Sequence, residues 1–170
     1  MRILGVSAGF HDAGLTVIHN DKILFAGHSE RYSKKKHDKS LCRELIDEAF
    51  KYGPFDHVAY YEVPWAKKLR EVYAGQGLNS DTSSKWTTRG ALQKHFGAYY
   101  PQLPKSVYSV PHHLSHAASG FQTSRFQTAT VVVIDAIGEW DTASIWSARY
   151  KKRIFGGEFG DVEYKKLWSQ

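Results

Sequence analysis

Two histidines and an aspartate have the residue types and the spacing needed to bind a metal ion. His112 and His116 stand four positions apart, directly after Pro111, and proline favours the first turn of a helix. In a helix these two imidazoles would project from one face. Asp135 ends an apolar run, residues 131–134, that is typical of a buried strand. Two imidazole nitrogens and one carboxylate oxygen form a ligand set that suits iron, zinc or manganese.

The same histidine pattern also permits a purely structural interpretation. Histidine pairs at helical spacing arise by chance, and residues 117–120 are all small, so the helix could pack tightly against a sheet whatever the imidazoles do. His113 would point away from the face that its neighbours share, and we expect it to be structural. The spacing alone therefore leaves metal binding and helix packing open.

The elements that must position these residues alternate between strand and helix patterns. The predicted strands before the histidine helix are residues 3–7, 15–19, 23–27, 57–63 and 106–110. The predicted helices are residues 41–50 with Ser40 as N-cap, a helix that starts at Pro64 with an apolar stripe, residues 92–99, and the histidine helix 111–124. Residues 75–90 are expected to form a loop. This order predicts an α/β fold.

A three-strand pattern recurs after the histidine helix. Strands are predicted at residues 131–135, 142–149 and 153–157, with residues 136–141 as a loop. The repeat lies about 130 residues from the first, and Phe25-Ala26-Gly27 corresponds to Phe155-Gly156-Gly157. The whole order is typical of a duplicated actin-like ATPase (ribonuclease H-like) fold. We expect one complete lobe in residues 1–128 and the first three-strand unit of a second lobe in residues 129–170.

Composition limits the classes of protein to consider. Net charge is +6, and the basic clusters are either solvated faces or surfaces for phosphorylated small molecules, since no nucleic-acid-binding motif accompanies them. No apolar stretch approaches the ~20 residues of a membrane span. Cys42 is the single cysteine, so an intrachain disulfide is impossible and a reducing cytoplasm is the natural location. We therefore expect a cytoplasmic protein that does not bind a membrane; binding of nucleic acid through the net positive charge is a third, less favoured interpretation.

Six short motifs follow one another along the chain, at residues 3–7, 10–13, 29–33, 36–38, 112–119 and 135–140. Together they resemble the N-terminal part of the O-carbamoyltransferases of nodulation-factor and antibiotic biosynthesis. Related families with the same actin-like fold are the hydrogenase-maturation carbamoyltransferase and the tRNA threonylcarbamoyladenosine synthases. The resemblance covers nearly the whole chain.

This resemblance implies a mechanism. Carbamoyl phosphate and ATP would give carbamoyladenylate in a separate C-terminal adenylating domain, and the actin-like domain would transfer the carbamoyl group to an acceptor hydroxyl. A bound divalent metal, usually iron, would assist. His112, His116 and Asp135 would be its ligands, together with an aspartate from the second half of the actin-like domain that this sequence does not contain.

The resemblance also implies roles for residues outside the metal set. His11 would act as a base on the acceptor hydroxyl, and Lys36 would offer positive charge to the carbamoyl oxygen or phosphate. Gly138 and Glu139 would lie in the nucleotide-side loop. Each role has an alternative: His11 could cap a turn, and Lys36 could belong to a solvated loop.

Two further expectations concern the extent of the chain and one departure from the family. Because the adenylating domain and most of the second lobe are absent from the sequence, we expect either a fragment or a protein that a second polypeptide completes. The alternative function is a non-catalytic module that binds a metal or a partner. Ala136 replaces the glycine that usually follows the strand-end aspartate, and it would be strained if that position had a positive φ.

Overall fold

The computed structural model describes residues 1–75, 86–151 and 161–170. The chain divides into two compact units, Met1–Ser109 and Val110–Gln170. The α/β class predicted from the sequence is confirmed, since each unit combines helices with a β-sheet. The histidine helix belongs to the second unit, whereas the lobe division at residue 128 stays a prediction. Within the described ranges, no helix is both long and apolar enough to cross a bilayer.

The first unit is built on a five-stranded mixed sheet in the order β3-β2-β1-β4-β5. Its strands are β1 (Arg2–Ser7), β2 (Gly14–His19), β3 (Lys22–His28), β4 (His57–Tyr60) and β5 (Val107–Ser109). Its helices are α1 (Ser29–Ser33), α2 (Arg43–Phe50), α3 (Pro64–Tyr73) and α4 (Thr88–Phe96), with a 3₁₀ helix at Gly97–Gln102. Strands β1, β4 and β5 run parallel, and β2 is antiparallel to both of its neighbours.

The core of the first unit lies where the central strands meet the helices. Leu4 and Val6 of β1 alternate with half-buried residues, as expected for a strand with one fully covered face. Leu45 of α2 and Leu92 of α4 are fully buried in the same cluster. This packing fixes the carboxyl ends of β1 and β4. The β1–β2 loop follows the first of these ends, and the segment that leads into α3 follows the second.

Several details of the first unit differ from the sequence-based prediction. Helix α2 begins at Arg43 with Cys42 as N-cap; Ser40 instead donates its N–H to Asp38, 3.1 Å away, so the predicted cap was wrong. Helix α1 was not predicted, because five residues are too short for a recognisable period. Helix α3 starts at Pro64 as predicted, yet its apolar stripe faces solvent, at Trp65, Leu69, Val72 and Tyr73.

The second unit consists of an antiparallel sheet and one helix. Helix α5 (His112–Gln122) is followed by β6 (Thr128–Gly138), β7 (Asp141–Tyr150) and β8 (Val162–Ser169), in the sheet order β6-β7-β8. The predicted strand at residues 153–157, with its half of the internal repeat, lies outside the described residues. Ala117 of α5 packs against Val133 of β6 and Trp146 of β7, which form the small core.

Strand β6 corrects two predictions. It continues through Gly138, so the loop predicted at residues 136–141 is reduced to a tight turn at Glu139 and Trp140. Its apolar run was predicted to be buried, but Val132 and Ile134 are 59% and 82% exposed. The reason is that α5 covers only one face of β6, so successive side chains point in turn toward α5 and toward solvent.

Candidate metal centre

Helix α5 and strand β6 bring the three predicted ligands together. His112 and His116 lie one turn apart, and their Nε2 atoms are 3.1 Å from each other. Asp135 Oδ2 lies 2.7 Å from His112 Nε2 and 3.7 Å from His116 Nε2. Three ligand atoms from two elements therefore converge on one point, as the sequence spacing predicted.

The protonation of this group suits a cation. Burial lowers the pKa of His116, and the neighbouring His112 lowers it further, so its imidazole is neutral at pH 7. Burial raises the pKa of Asp135, but hydrogen bonds from the Ala136 N–H and from His112 outweigh it, so the net pKa lies below the usual value. Metal ions bind neutral imidazole and ionised carboxylate, the forms that these two residues hold.

Gly138 and Glu139 hold α5 against the end of β6. A Cβ built on Gly138 would fall on the ring carbons of His112 and lie 2.8 Å from His113 Cδ2, so only glycine lets the strand pass this closely. Glu139, with φ 42°, turns the chain back, and its Oε1 accepts a hydrogen bond from the His112 N–H at 3.2 Å. Both residues thus position the ligand helix; their predicted contact with a nucleotide stays a prediction.

The structure also settles the conformations of His113 and Ala136 in this segment. His113 is 3% exposed, and its Nδ1 lies 2.7 Å from Ser144 Oγ, so it anchors α5 to β7, away from the ligand face, as expected. Ala136 does not have a positive φ, so its backbone is not strained by the side chain.

His11 lies in the β1–β2 loop of the first unit. Its side chain is 59% exposed, and its Nδ1 lies 2.8 Å from Asp12 Oδ2. A carboxylate only accepts, so Nδ1–H is the donor in this contact, and in the neutral tautomer Nε2 carries the lone pair. Burial raises the pKa of Asp12, but hydrogen bonds from His11 and His37 outweigh it and lower the pKa below its usual value. This pair matches the orienting carboxylate and imidazole of many general bases.

Lys36 occupies an exposed position near that loop. Its Nζ lies 3.3 Å from Glu30 Oε1, and the side chain is 75% exposed. Glu30 also accepts the backbone N–H of His37 at 3.0 Å. Glu30 therefore partly neutralises the charge of Lys36. Lys36 belongs to the same unit as His11, and its predicted role stays a prediction.

A second group of ligand-type residues surrounds Asp12. Oxygen and nitrogen atoms of Asp12, His28 and Glu30 lie within 4.8 Å of one another. However, the ammonium of Lys36 already contacts Glu30, so a positive charge stands next to the position that a cation would take. The α5–β6 group contains no such competing cation among the residues described, which makes it the better metal candidate.

Sequence reasoning missed Asp12 as a partner of His11. The signal was present, because the two residues are adjacent in the motif Phe10-His11-Asp12-Ala13. Neighbouring side chains in an extended chain point apart, so contact was not expected. Asp12 instead adopts φ 51°, a left-handed conformation that aspartate tolerates, and this bend brings its carboxylate to the imidazole.

The donor set fits a divalent transition metal. Two imidazole Nε2 atoms and one carboxylate oxygen face each other, and a metal at 2.0–2.2 Å from each is the usual arrangement for such ligands. His112 Nε2 is near both of the other ligand atoms, so small shifts would open a three-ligand site. The remaining coordination positions would stay available to other groups.

Comparison with known proteins agrees with the motifs in the sequence. The family model "Carbamoyltransferase N-terminus" matches residues 46–162. A protein of uncharacterised function from Synechocystis, sll1178, is 32% identical over 168 residues, covering 86% of this chain and 27% of that protein. The nodulation protein NolNO of Sinorhizobium fredii is 28% identical over 138 residues, covering 76% of this chain and 20% of that protein. The chain thus spans about a quarter of the length of these relatives.

Solved structures give only a distant likeness. YeaZ from Pseudomonas aeruginosa aligns with a TM-score of 0.38 at 12% sequence identity, covering 98% of this chain and 67% of that chain. A likeness at this level carries no argument about function. The range that the family model matches includes His112, His116 and Asp135.

Proposed function

Because the chain belongs to the carbamoyltransferase N-terminus family, we propose that it supplies the metal-binding and transfer part of an O-carbamoyltransferase. A carbamoyl group would pass from carbamoyladenylate, made from carbamoyl phosphate and ATP, to the hydroxyl of an acceptor. The observation that carries this proposal is the convergence of His112, His116 and Asp135 on one point. The first unit would be an actin-like lobe, a proposal that its strand order β3-β2-β1-β4-β5 supports.

Three residues of the second unit would hold the metal. His112 and His116 would each contribute Nε2, and Asp135 would contribute a carboxylate oxygen. When bound, iron, zinc or manganese would supply Lewis acidity to an oxygen of the carbamoyl donor. Glu139 keeps His112 in place by accepting its backbone N–H, so this carboxylate would act through the ligand rather than on the substrate.

His11 would move the proton in the transfer step. Its Nδ1–H is fixed by Asp12, so its Nε2 would take the proton of the acceptor hydroxyl as that oxygen bonds to the carbamoyl carbon. The bond from the carbamoyl carbon to the phosphate oxygen breaks, and AMP leaves with the electron pair. The exposed His11 imidazole then releases the proton to water. Lys36 would add positive charge near the leaving phosphate once substrate displaces Glu30.

A second candidate function is a non-catalytic module that binds a partner. It is favoured by Val132 and Ile134, which expose apolar surface on β6, an edge strand of its sheet. The partner would be a second polypeptide that pairs with β6 and covers this face. Such a module would need the β6 edge but not the imidazole of His11, and this difference separates the two candidates.

The decisive experiment measures carbamoyl transfer when the rest of a carbamoyltransferase, namely the remainder of its second lobe and its adenylating domain, is supplied in trans with ATP and carbamoyl phosphate. The proposal expects product from an amino-sugar acceptor, and it expects His11→Gln to remove transfer while the bound metal remains. A matched control is His57→Gln, because His57 lies in β4 and contacts Ser106 instead. Equal and measurable transfer by the His11→Gln variant and the wild type would exclude His11 as the base, whereas no transfer by the wild type would favour the partner-binding module.

A further inference from the structure

A cavity of about 370 Å³ lies within the first unit, beside the start of the β1–β2 loop. It opens where the chain leaves the carboxyl ends of the parallel strands β1 and β4, at Ala8 and Tyr60. In open α/β sheets this is the edge at which ligands bind. Helices α3 and α4 form its walls, and its charged or titratable lining includes Lys39, Glu62, Lys67, Lys68, Lys94 and His95.

Both glutamates of this cavity are already paired. Lys67 Nζ lies 3.0 Å from Glu62 Oε2, and the Glu62 side chain is only 9% exposed. Lys68 is buried along its stem and places Nζ 3.3 Å from Glu71 Oε2. Each acidic charge of the lining is therefore neutralised by one lysine.

Two lysines of the lining remain without such a partner. Among the residues that the structure describes, no carboxylate oxygen lies within 4.0 Å of the ammonium of Lys39 or Lys94. His95 adds no charge, because burial, together with Lys94 and Lys67, lowers its pKa to about 4. The cavity consequently carries an excess of positive charge and a neutral imidazole that can exchange hydrogen bonds.

The polar wall of the cavity is fixed rather than loosely arranged. The buried Tyr60 hydroxyl donates to the Ala8 carbonyl at 3.1 Å, and it lies 3.4 Å from His95 Nε2. Gly9 has φ 105°, and a Cβ there would come within 3.0 Å of the His95 ring, so the backbone passes directly over the imidazole. The β1–β2 loop, Tyr60 and His95 thus form one preorganised surface.

We propose that this cavity binds a small anionic compound that carries a phosphate group. Lys39 and Lys94 would contact the anion, and His95 would contribute a neutral hydrogen bond. A cation is disfavoured because both carboxylates are paired with lysines, and the two exposed lysine ammonium groups that lack a carboxylate partner favour an anion over a neutral ligand. The inference does not depend on the metal or on carbamoyl transfer, since none of these residues belongs to either.

The test measures binding of glucose 6-phosphate, inorganic phosphate and unphosphorylated glucose by isothermal titration calorimetry. We compare the wild type with a double variant, Lys39→Gln with Lys94→Gln. A matched control, Lys22→Gln with Lys165→Gln, removes the same charge from exposed lysines outside the cavity. All four lysines are exposed, so both variants should fold.

The proposal expects saturable binding of glucose 6-phosphate that is weakened by about tenfold or more in the cavity variant and by less than about twofold in the control. Stronger binding of the sugar phosphate than of inorganic phosphate would mean that the cavity recognises an organic phosphate, and equal binding would mean that it recognises phosphate alone. The proposal is overturned if neither phosphate binds the wild type, if glucose binds equally well, or if both double variants lose the same affinity.

Discussion

His112 Nε2 lies 2.7 Å from Asp135 Oδ2, although twenty-three positions separate these residues in the chain. The contact exists because α5 packs its small residues against β6, with Ala117 buried on Val133. Asp135 lies on the same face of β6 as Val133, two residues away, and therefore points at the helix. The contact between Ala117 and Val133, together with the two-residue alternation of side chains along β6, thus places the Asp135 carboxylate beside the imidazoles of α5.

Gly138→Ala should weaken the metal centre through its packing. The added Cβ would meet the rings of His112 and His113, so α5 must move away from β6. We expect a loss of about 1–3 kcal/mol in the free energy of unfolding, together with weaker zinc binding. Urea unfolding and a zinc titration measure the two effects.

Gly120→Ala is the control for this change. Gly120 lies in α5, and a Cβ there meets nothing within 4 Å. Alanine in a helix interior is more stable than glycine by up to about 1 kcal/mol, so this variant should keep or gain stability and bind zinc normally. Similar losses from both variants would contradict the proposed function of Gly138.

Asp12→Asn should slow carbamoyl transfer without unfolding the β1–β2 loop. Asparagine tolerates the φ of 51° found here, but its amide cannot stabilise a protonated His11. We expect kcat to fall by about tenfold to a hundredfold, with little change in KM and with metal content preserved. A variant with unchanged kcat would show that the carboxylate does not orient the base.

Lys67→Met should destabilise the first unit strongly. The substitution leaves the Glu62 carboxylate buried without its lysine, and such losses cost about 3–5 kcal/mol. Lys51→Met is the comparison, because Lys51 pairs with Glu48 on the surface and its loss should have a much smaller effect. Chemical denaturation of both variants at neutral pH tests this, and equal midpoints would argue against the buried pair.

The free energy of unfolding should fall in mild acid partly because of His95. Its pKa is about 4 in the folded protein and 6.5 in the unfolded chain, so the unfolded chain binds more protons between these values. This stabilisation is complete above about pH 6.5 and is lost as the pH falls toward 4. His95→Gln should therefore lose less stability than the wild type between about pH 7 and about pH 4.5. Parallel pH profiles for the two proteins would rule this out.

The convergence of the three candidate ligands was predictable because each part of it is a local pattern. His112 and His116 are one helical turn apart, and Asp135 follows an apolar run that indicates a strand. Neither pattern required knowledge of distant contacts. What local patterns did not indicate was the contact between Asp12 and His11, since Asp12 reaches His11 only through a left-handed bend.

Burial was harder to predict than element type. The run at residues 131–134 has the composition of a strand covered on both sides, yet α5 covers one face only, and composition does not report how many layers surround a strand. Helix α3 shows the same limit, because Lys68 rather than the apolar stripe is buried. The aliphatic stem of Lys68 is buried while its ammonium pairs with Glu71, and hydrophobic periodicity does not predict such a buried lysine.

A zinc titration tests directly whether His112, His116 and Asp135 bind a metal; it compares the wild type, the double variant His112→Ala with His116→Ala, and His19→Ala as a control from β2 of the first unit. We expect saturable binding to the wild type and to the control, and binding weaker by at least about a hundredfold in the double variant, while circular dichroism shows all three folded. Equal zinc affinity in the wild type and the double variant would contradict this expectation, because the metal would then be held by other residues.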